Sequence, residues 1–436
     1  MRAIVFGLAL LAGCGNAPPP ETKAPASPPE PAKPAPSGIT ETKADDPPPK
    51  PAASADASQK VDVKNANGFT LRVLAKSKTT TSSNTMISGT SLRQALGAAY
   101  LGAKGSTKQE MAQALALPDD RDKAADAAKA ENAAWEEARG KSAELVVANR
   151  VWVDKGTALD PEYGALAQSI GFAPAFVEIQ KKPEEARKAI NSWVSEQTKE
   201  KIHDLLPSGS LDARTKLVIT NAIYFKGRWA NPFPKSATKD EPFTTATKQT
   251  VNVPTMHLID SFRYGEDKNV KVLELRYEGS DLALMIVLPD TKDGLAKVEE
   301  SLDADAIERW SGALQSTRVD VALPKLSFRS GGVMNPVLQE LGIKTAFSDK
   351  ADFGAMADPK AKIQIGPVFH QTFLTVDEVG TEAAAATGAV MRTTSLMVGE
   401  PKPFKVDHPF LFFVRDAKRG RLLFAGRVVD PKMTAP

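Results

Sequence analysis

The stretch EVGTEAAAATGAVMRTTSL occupies residues 378–396 and closely follows a strand-like run at 373–376. Its alanine tract is also compatible with a short surface helix or a loop of small residues. With a period of two, however, the residues separate into two faces. Glu382 and Arg392 share one face, and the other face carries only small or apolar side chains: Thr381, Ala383, Ala385, Thr387, Ala389 and Met391. This alternation predicts an exposed loop that can enter a β-sheet as an additional strand.

The whole chain is long and nearly neutral. Its 436 residues exceed the usual size of one hydrophobic core, so two or three domains would be the default expectation. The 56 Lys+Arg and 53 Asp+Glu give a net charge of +3, which argues against nucleic acid or an anionic membrane face as the main partner. The single cysteine excludes intrachain disulfides and cysteine-based metal sites.

Residues 1–13 are predicted to be a signal peptide. The apolar run at 4–11 is about half the ~20 residues needed to span a bilayer. LAGC at 11–14 resembles the bacterial lipobox, in which the signal is removed and the cysteine, here Cys14, becomes a lipidated N-terminus. The alternative is an ordinary secretory signal with a chance cysteine. Because Gly15 follows instead of aspartate, the resemblance to sorted lipoproteins favours a cell-envelope protein on the outer membrane, at its periplasmic or surface face.

The segment that follows, residues 14–60, is predicted to be a disordered tether. It consists mainly of proline, alanine, serine, threonine, lysine and acidic residues, and it cannot bury enough apolar surface to fold. At ~3.1 Å per residue in its proline-rich parts, such a tether reaches on the order of 100 Å. The excess length is therefore assigned to a signal peptide and a spacer, and residues 61–436 to one folded domain.

Strand and helix patterns alternate through this domain without a second linker. Near-continuous apolar runs at 217–225 and 283–288 predict strands buried on both faces, and runs at 410–414 and 422–425 predict a hairpin with Gly420 in its turn. Helices come first and strands concentrate later, which is typical of the α+β class.

Two helix boundaries are predicted from local patterns. Apolar residues recur from Ile190 to Leu206 on one helical face, and the PSG sequence at 207–209 should end that helix. Thr107 followed by Glu110 has the spacing of a capping box at the start of an earlier helix.

The chain lacks the signatures of an enzyme active site. It has no G-x-S-x-G elbow, phosphate loop, dinucleotide fingerprint or H-E-x-x-H motif. The four histidines are far apart in sequence, so no metal site is expected. Residues 236–239 match S-x-x-K, but they lie in a polar run before Pro242 without recognisable partners, which disfavours a serine hydrolase. We therefore expect no catalytic residue and no cofactor.

Several motifs between residues 65 and 429 together resemble the serpin family of serine-protease inhibitors. They are YLGAKG at 100–105, NAIYFKGRW at 221–229, LQELG at 338–342 with ADF at 351–353, GTEAA at 380–384 and HPFLF at 408–412. The resemblance implies helices packed around three β-sheets, an exposed reactive-centre loop and a monomer that works by inserting this loop into its main sheet.

The resemblance also assigns roles to individual residues. Ser88, Ser91, Asn221 and His370 match the polar cluster where the main sheet opens, and Trp229 matches the tryptophan near the top of that sheet. Family members normally have proline after the first serine, whereas this chain has Gly89 and Thr90, so the resemblance does not extend to the stiffness of the opening. The loop hinge would comprise Glu378, Gly380, Thr381, Glu382, Ala383, Ala384, Ala385 and Ala386.

Counting along the loop from Gly380 by the family's usual length places the cleaved bond between Thr394 and Ser395. A small β-branched residue suits the shallow pockets of elastase-like or subtilisin-like proteases. Arg392 offers an alternative site for a trypsin-like protease with a buried acid in its pocket.

Two classes of function remain open from sequence alone. The first is an inhibitor of serine endopeptidases, which could also trap cysteine proteases. The second is a non-inhibitory serpin-fold binding protein. Non-inhibitory relatives tend to carry charge, proline or bulk on the inward face of the hinge, and residues 381–387 carry none there. No segment is convincing as a binding site for a heparin-like cofactor.

Overall fold

A computed structural model of the chain describes residues 53–77, 80, 82–381 and 400–433, with side chains from residue 62 onward. In these residues the helices are α1 (Ala53–Lys76), α2 (Gly89–Tyr100), α3 (Gly105–Leu115), α4 (Arg121–Arg139), α5 (Pro161–Ser169), α6 (Pro183–Gln197), α7 (Leu295–Glu300), α8 (Ala304–Ala313) and α9 (Asn335–Glu340). Helix α1 begins inside the segment predicted as tether, so the predicted boundary between residues 60 and 61 falls within a helix.

The first group of strands forms a six-stranded sheet in the order β10-β11-β12-β4-β2-β3. Its members are β2 (Glu144–Asp154), β3 (Ala175–Val177), β4 (Leu217–Arg228), β10 (Leu326–Val333), β11 (Val368–Val376) and β12 (Gly380–Thr381). Strand β4 is buried along most of its length, which confirms the prediction of a strand buried on both faces at 217–225.

The remaining described strands form a nine-stranded sheet in the order β1-β15-β14-β8-β7-β6-β9-β13, with β5 paired to β6. They are β1 (Thr85–Ile87), β5 (Lys239–Thr244), β6 (Thr250–Asp267), β7 (Val270–Arg276), β8 (Leu282–Pro289), β9 (Gln315–Pro324), β13 (Lys402–Lys405), β14 (Phe410–Asp416) and β15 (Leu422–Val428). The predicted buried strand at β8 and the predicted β14–β15 hairpin, with Gly420 at φ 79°, are both present.

The described strands therefore group into two hydrogen-bonded sheets, where the resemblance implies three. The reason is the length of β6, which has 18 residues. Its first part pairs with β5, its middle with β9 and its last residues with β7. One continuous strand thus joins three ladders into a single hydrogen-bonded network.

Both helix-boundary predictions are wrong in their details. Helix α6 ends at Gln197 because Lys199 and Glu200 adopt left-handed φ angles of 51° and 61°, yet Leu206 still packs in the same apolar cluster as Ile190. Helix α3 begins at Gly105, so Thr107 and Glu110 lie inside its first turns and do not form a capping box.

Glu110 has a different structural role. Its carboxylate accepts hydrogen bonds from the backbone N–H groups of Lys344 and Thr345 at 2.8 and 2.7 Å, and from the Thr345 hydroxyl at 2.6 Å. The glutamate therefore fixes helix α3 to a segment more than 230 positions later in the chain.

The six-stranded sheet is covered on both faces. Helix α6 packs on one face, where Ile190 and Val194 share an apolar cluster with Ala222 and Phe369. On the other face, toward α2, Ile219 and Val368 belong to one apolar cluster and Ile223 to a second. Among the described residues, no helix is both long enough and apolar enough to cross a membrane.

Candidate functional site

The site is the place where β4 and β11 separate near the top of the six-stranded sheet. Lower down, the two strands pair directly in parallel, residues 219–224 with 368–373. Above this ladder, β12 lies between them and runs antiparallel to both, with Thr381 opposite Val376 on one side and Gly227 on the other. The first residues of the predicted loop are therefore already part of the sheet.

The turn that leads into β12 is held by Asp377 and Trp229. Asp377 Oδ1 accepts hydrogen bonds from the N–H groups of Val379 and Gly380 at 2.8 and 3.1 Å. The Trp229 indole N–H donates to the carbonyl of Asp377 at 2.9 Å, and its backbone N–H donates to the carbonyl of Val379 at 2.9 Å. Trp229 thus fixes the point at which the loop leaves the sheet.

Two residues of β12 match their positions closely. A Cβ atom on Gly380 would lie 2.0 Å from the carbonyl oxygen of Gly227, so only glycine fits beside β4. Thr381 is completely buried, and its Oγ1 lies 2.7 Å from the hydroxyl of Tyr277. Tyr277 stacks on Trp229 with ring centroids 4.7 Å apart. The inward face at this position therefore accepts a small, neutral side chain.

Glu378 anchors the same turn to the body of the protein. Its carboxylate accepts a hydrogen bond from the Thr238 hydroxyl at 2.8 Å and lies 2.8 Å from the Lys325 ammonium. Burial opposes ionisation of Glu378, but the hydrogen bonds from Lys325 and Thr238 outweigh it and hold its pKa below the usual range. The carboxylate is therefore charged and paired at neutral pH.

Lower in the sheet, a buried polar network links β4 and β11. Asn221 and His370 are neighbours across the two strands, and the His370 Nδ1 is hydrogen-bonded to the Asn221 Oδ1. The backbone N–H of Ser88 donates to His370 Nε2 at 3.1 Å. Because Nε2 accepts, Nδ1 carries the proton of the neutral ring.

Ser91 and Asn149 complete this network on the β4 side. Ser91 Oγ accepts hydrogen bonds from the side-chain amides of Asn221 at 2.7 Å and of Asn149 at 2.9 Å. Asn221 also donates to Asn149 Oδ1, and the two residues face each other across β2 and β4. We call Ser88, Ser91, Asn149, Asn221 and His370 the gate cluster. Within it, the His370–Asn221 bond joins the side chains of the two strands that would have to part.

The Gly89-Thr90 sequence at the start of α2 has a structural explanation. A Cβ on Gly89 would lie 2.4 Å from the Cα of Thr70, so a proline ring has no room where α1 crosses α2. Thr90 donates from its hydroxyl to the carbonyl of Leu422 at 2.6 Å. The Ser88 side chain still caps α2 by accepting from the N–H of Ser91 at 3.4 Å.

The protonation state of the gate cluster follows from its burial. Burial lowers the pKa of His370 from 6.5 to about 4, because the charged ring would be desolvated. A proton on Nε2 would also face the Ser88 N–H, donor against donor. The ring is therefore neutral at neutral pH.

This pKa shift predicts acid sensitivity of the native fold. The unfolded chain takes up a proton on His370 near pH 6.5, whereas the folded chain does so only near pH 4. Stability from this group is thus complete above pH 6.5 and decreases by about 3 kcal/mol as the pH falls to 4. Urea unfolding at pH 7 and 4.5 measures how much the free energy of unfolding falls between the two pH values.

This fall should be smaller in His370→Gln than in the wild type. The control is His203→Gln, which changes an exposed histidine and should leave the fall as large as in the wild type. An equal fall in all three proteins would contradict the assignment to His370.

Among the described residues, no group of three or more histidine, cysteine, aspartate or glutamate side chains is placed to bind a metal ion. The geometry instead provides a sheet in which β12 fills the upper gap between β4 and β11. Below β12, the gate cluster holds the two strands together.

Comparison with known proteins decides the family. The sequence model described as Serpin (serine protease inhibitor) matches residues 64–431. The chain belongs to the serpin family. Leukocyte elastase inhibitor from Bos taurus is 39% identical over 357 residues, which are 80% of this chain and 93% of that protein. An uncharacterized serpin-like protein from Thermococcus kodakarensis is 38% identical over 380 residues, 86% of this chain and 87% of its own.

Solved structures agree with the sequence relatives. Serpin48, described as a highly specific serpin of the insect Tenebrio molitor, superimposes with a TM-score of 0.75 at 32% identity and covers 86% of this chain and 98% of its own. The predicted α+β serpin fold is thereby confirmed.

In this serpin, several residues assigned from sequence lie outside the described residues. These are the lipidation residue, most of the hinge and the candidate cleavage sites: Cys14, Glu382, Ala383, Ala384, Ala385, Ala386, Arg392, Thr394 and Ser395. The described ones, Ser88, Ser91, Asn221 and His370, lie together in the gate cluster. Trp229, Glu378, Gly380 and Thr381 lie together at the top of the sheet.

Sequence reasoning missed four partners of these residues: Asn149, Thr238, Tyr277 and Lys325. Only Asn149 had a usable signal. It interrupts the alternation of apolar inward residues between Val147 and Val151 on one strand, where a polar residue needs a buried partner.

Proposed function

We propose that this serpin inhibits serine endopeptidases as a suicide substrate. The protease's serine oxygen attacks the carbonyl carbon of Thr394, the peptide bond to Ser395 breaks, and the serine's proton passes through the protease's base to the new amine of Ser395. The C-terminal segment stays in the nine-stranded sheet through β13, β14 and β15. The loop then enters the main sheet and carries the esterified protease with it, which distorts the protease's active site before water can hydrolyse the ester.

The observation that carries this proposal is the position of β12. Gly380 and Thr381 already form the top of an additional strand between β4 and β11, and the Thr381 side chain is buried without a charge. Insertion would therefore extend a strand that already exists. The entropic cost of first aligning the loop with β4 and β11 is already met by the pairing of β12 with both strands.

Continuing this register predicts which residue would meet the gate cluster. Thr381 faces Gly227 and Val376. Thr387 lies six residues after Thr381 along the loop. On the partner strands, Asn221 lies six residues before Gly227, and His370 lies six residues before Val376. An inserted loop would place Thr387 between these two residues and on the same face, since six is an even number. Its hydroxyl can both donate and accept, so it could replace the broken bond between them.

Strand insertion also gains more backbone pairing than it loses. The parallel ladder between β4 and β11, which covers residues 219–224 and 368–373, must open. An inserted strand pairs antiparallel with both neighbours, so two ladders replace one. This difference is the driving force that the mechanism needs.

The loop sequence favours a protease with a shallow specificity pocket. Thr394 is small and β-branched, and a relative that is 39% identical is named leukocyte elastase inhibitor. An elastase-like or subtilisin-like enzyme is therefore the preferred target. Arg392 provides the alternative for a trypsin-like enzyme.

A panel of serine proteases tests the proposal. Incubation with elastase-like, subtilisin-like and trypsin-like enzymes should give an SDS-resistant adduct with at least one of the first two. Mass spectrometry under denaturing conditions should show a C-terminal peptide that begins at Ser395. Cleavage by all three classes without an adduct would instead support a non-inhibitory serpin. A cut outside residues 391–397 would contradict both candidate bonds.

The inhibitor is further proposed to be held at the cell envelope by a lipid on Cys14. The lipobox-like LAGC sequence and the proline-rich spacer up to the folded domain support this location. In a bacterial host, labelling with an alkyne fatty acid should mark the wild-type protein and not Cys14→Ser. Equal labelling of both proteins would exclude Cys14 as the lipid attachment point.

A further inference from the structure

A cleft of about 470 Å³ lies beside β10, the strand at one edge of the six-stranded sheet. We call it the β10 cleft. Residues of β10, β1, α9, the end of α1 and the segment around Met433 line it. The volume lies within the range of small-molecule sites, which bury an apolar body together with a few polar groups. No residue of the gate cluster or of β12 lines the β10 cleft.

Hydrogen bonds within the protein hold the walls of the β10 cleft. The side-chain amide of Asn84 donates to the carbonyls of Asp430 and Met433 at 2.8 and 3.2 Å, which fixes the segment that carries Met433. Ser330 Oγ accepts a hydrogen bond from the N–H of Met86 at 2.9 Å, which joins β10 to β1. The walls therefore have supporting contacts of their own.

The β10 cleft leaves apolar side chains open to solvent. Val333 of β10 is 48% exposed and Met433 is 37% exposed. Both line the cleft together with Ile87 and Val337. A Cβ atom on Gly332 would meet no atom within 4 Å, so the space beside β10 is open at this point. An apolar ligand chain in this space would remove these side chains from water.

Two buried polar atoms of the lining, Gln371 Oε1 and Ser77 Oγ, have no hydrogen-bond partner among the described residues. Gln371 of β11 lies opposite Gly331 of β10, which has no side chain to offer the amide a partner. Glycine is required there, because a Cβ would lie 2.0 Å from the carbonyl oxygen of His370. A buried acceptor without a donor is costly, so a ligand N–H that reaches Gln371 Oε1 would remove this cost.

The charged side chains of the β10 cleft favour an anion. Lys76 and Arg329 line it, and no aspartate or glutamate does. Lys76 is paired with Glu340 at 3.1 Å. Arg329 has no ion pair among the described residues, and its guanidinium carbon lies 5.8 Å from the centroid of the Phe373 ring. A guanidinium without a carboxylate partner can bind a ligand carboxylate through two parallel hydrogen bonds.

We propose that the β10 cleft binds a small anionic amphiphile in which an amide and an apolar chain follow a carboxylate, the chemistry of an N-acylated amino acid. The carboxylate pairs with Arg329, the amide N–H donates to Gln371 Oε1, and the amide carbonyl accepts from the Ser77 hydroxyl. The apolar chain covers Val333 and Met433. The site does not depend on the proposed inhibition of proteases.

Calorimetric titration with N-octanoylglycine and its analogues tests the site. Affinity should rise about fourfold per added methylene from N-butanoylglycine to N-octanoylglycine, as the chain covers more apolar surface. N-octanoylglycinamide, which lacks the negative charge, should bind at least tenfold more weakly. Octanoyloxyacetate, in which an ester oxygen replaces the N–H, should bind at least fivefold more weakly, because it cannot donate to Gln371.

Substitutions assign these preferences to individual residues. Arg329→Gln should lower the affinity for N-octanoylglycine at least tenfold and leave the affinity for N-octanoylglycinamide within twofold. The control is Arg318→Gln, which changes an exposed arginine of β9 outside the β10 cleft and should alter neither affinity. Gln371→Met removes the acceptor and should abolish the preference for the amide over the ester.

Binding that does not saturate, or that is equal for N-octanoylglycine, its amide and its ester analogue, would overturn the site. An unchanged affinity in Arg329→Gln would do the same. Val333→Trp fills the β10 cleft and serves as a second variant if Arg329→Gln folds poorly; it should abolish binding. Ile259→Trp, at a 49% exposed strand position outside the cleft, should bind normally. Undiminished binding by Val333→Trp would place the ligand elsewhere and contradict the proposal.

Discussion

Thr381→Arg is expected to convert the inhibitor into a substrate. Thr381 is completely buried in β12, and its hydroxyl contacts Tyr277. Arginine would place an unpaired charge beneath the sheet, at a cost of several kcal/mol, so β12 would be displaced and insertion would start too late to outrun hydrolysis. The number of inhibitor molecules consumed per protease molecule inhibited should rise at least tenfold, measured by titration of residual protease activity.

Two controls separate insertion from general damage. Thr381→Val keeps the shape without the hydroxyl and should inhibit almost normally. Thr375→Arg adds the same charge at a partly exposed position of the neighbouring strand β11 and should also inhibit normally. An unchanged yield of SDS-resistant complex in Thr381→Arg would count against loop insertion.

Asn221→Ala is expected to weaken the closed sheet by about 3 kcal/mol. The change removes the acceptor for His370 and the donor to Ser91 and Asn149, leaving buried polar groups without partners. Because the lost bond bridges β4 and β11, the two strands should also part more readily. The free energy of unfolding, measured with urea, should fall. A synthetic acetylated peptide of residues 381–391, incubated with the intact protein and followed on native gels, should anneal to the sheet at least tenfold faster than in the wild type.

Asn67→Ala is the matched control for this change. Asn67 is also buried and makes two hydrogen bonds of 2.9 Å, to the carbonyl of Gly420 and from the N–H of Leu422, but these bonds join α1 to the start of β15 and not β4 to β11. The control should lose similar stability without faster annealing. Equal acceleration in both variants would show that global destabilisation, rather than the gate cluster, limits opening.

The fold could be predicted from the sequence where one residue pattern decides one element. The buried strands β4 and β8 and the turn at Gly420 are examples. The end of α6 could not, because Lys199 and Glu200 take left-handed conformations without the glycine that usually signals them. The joining of two predicted sheets through β6 could not be predicted either. It depends on how far β6 continues past its pairing with β9 to reach β7.

The site was predictable in its motifs but not in its partners. The resemblance identified Glu378 and His370, whereas Lys325, Thr238 and Tyr277 come from distant parts of the chain and carry no local signal. The occupied slot at Gly380–Thr381 is likewise a tertiary fact, since it depends on the register between β12 and β4.

The central claim is that the loop becomes a strand between β4 and β11. Thermal unfolding before and after a single cut within residues 391–397 tests it most directly, with mass spectrometry verifying the cut. Insertion predicts that the melting temperature rises by about 10 °C or more, because a strand of roughly ten residues gains two hydrogen-bonded neighbours. A melting temperature that stays the same or falls after the cut would contradict the account.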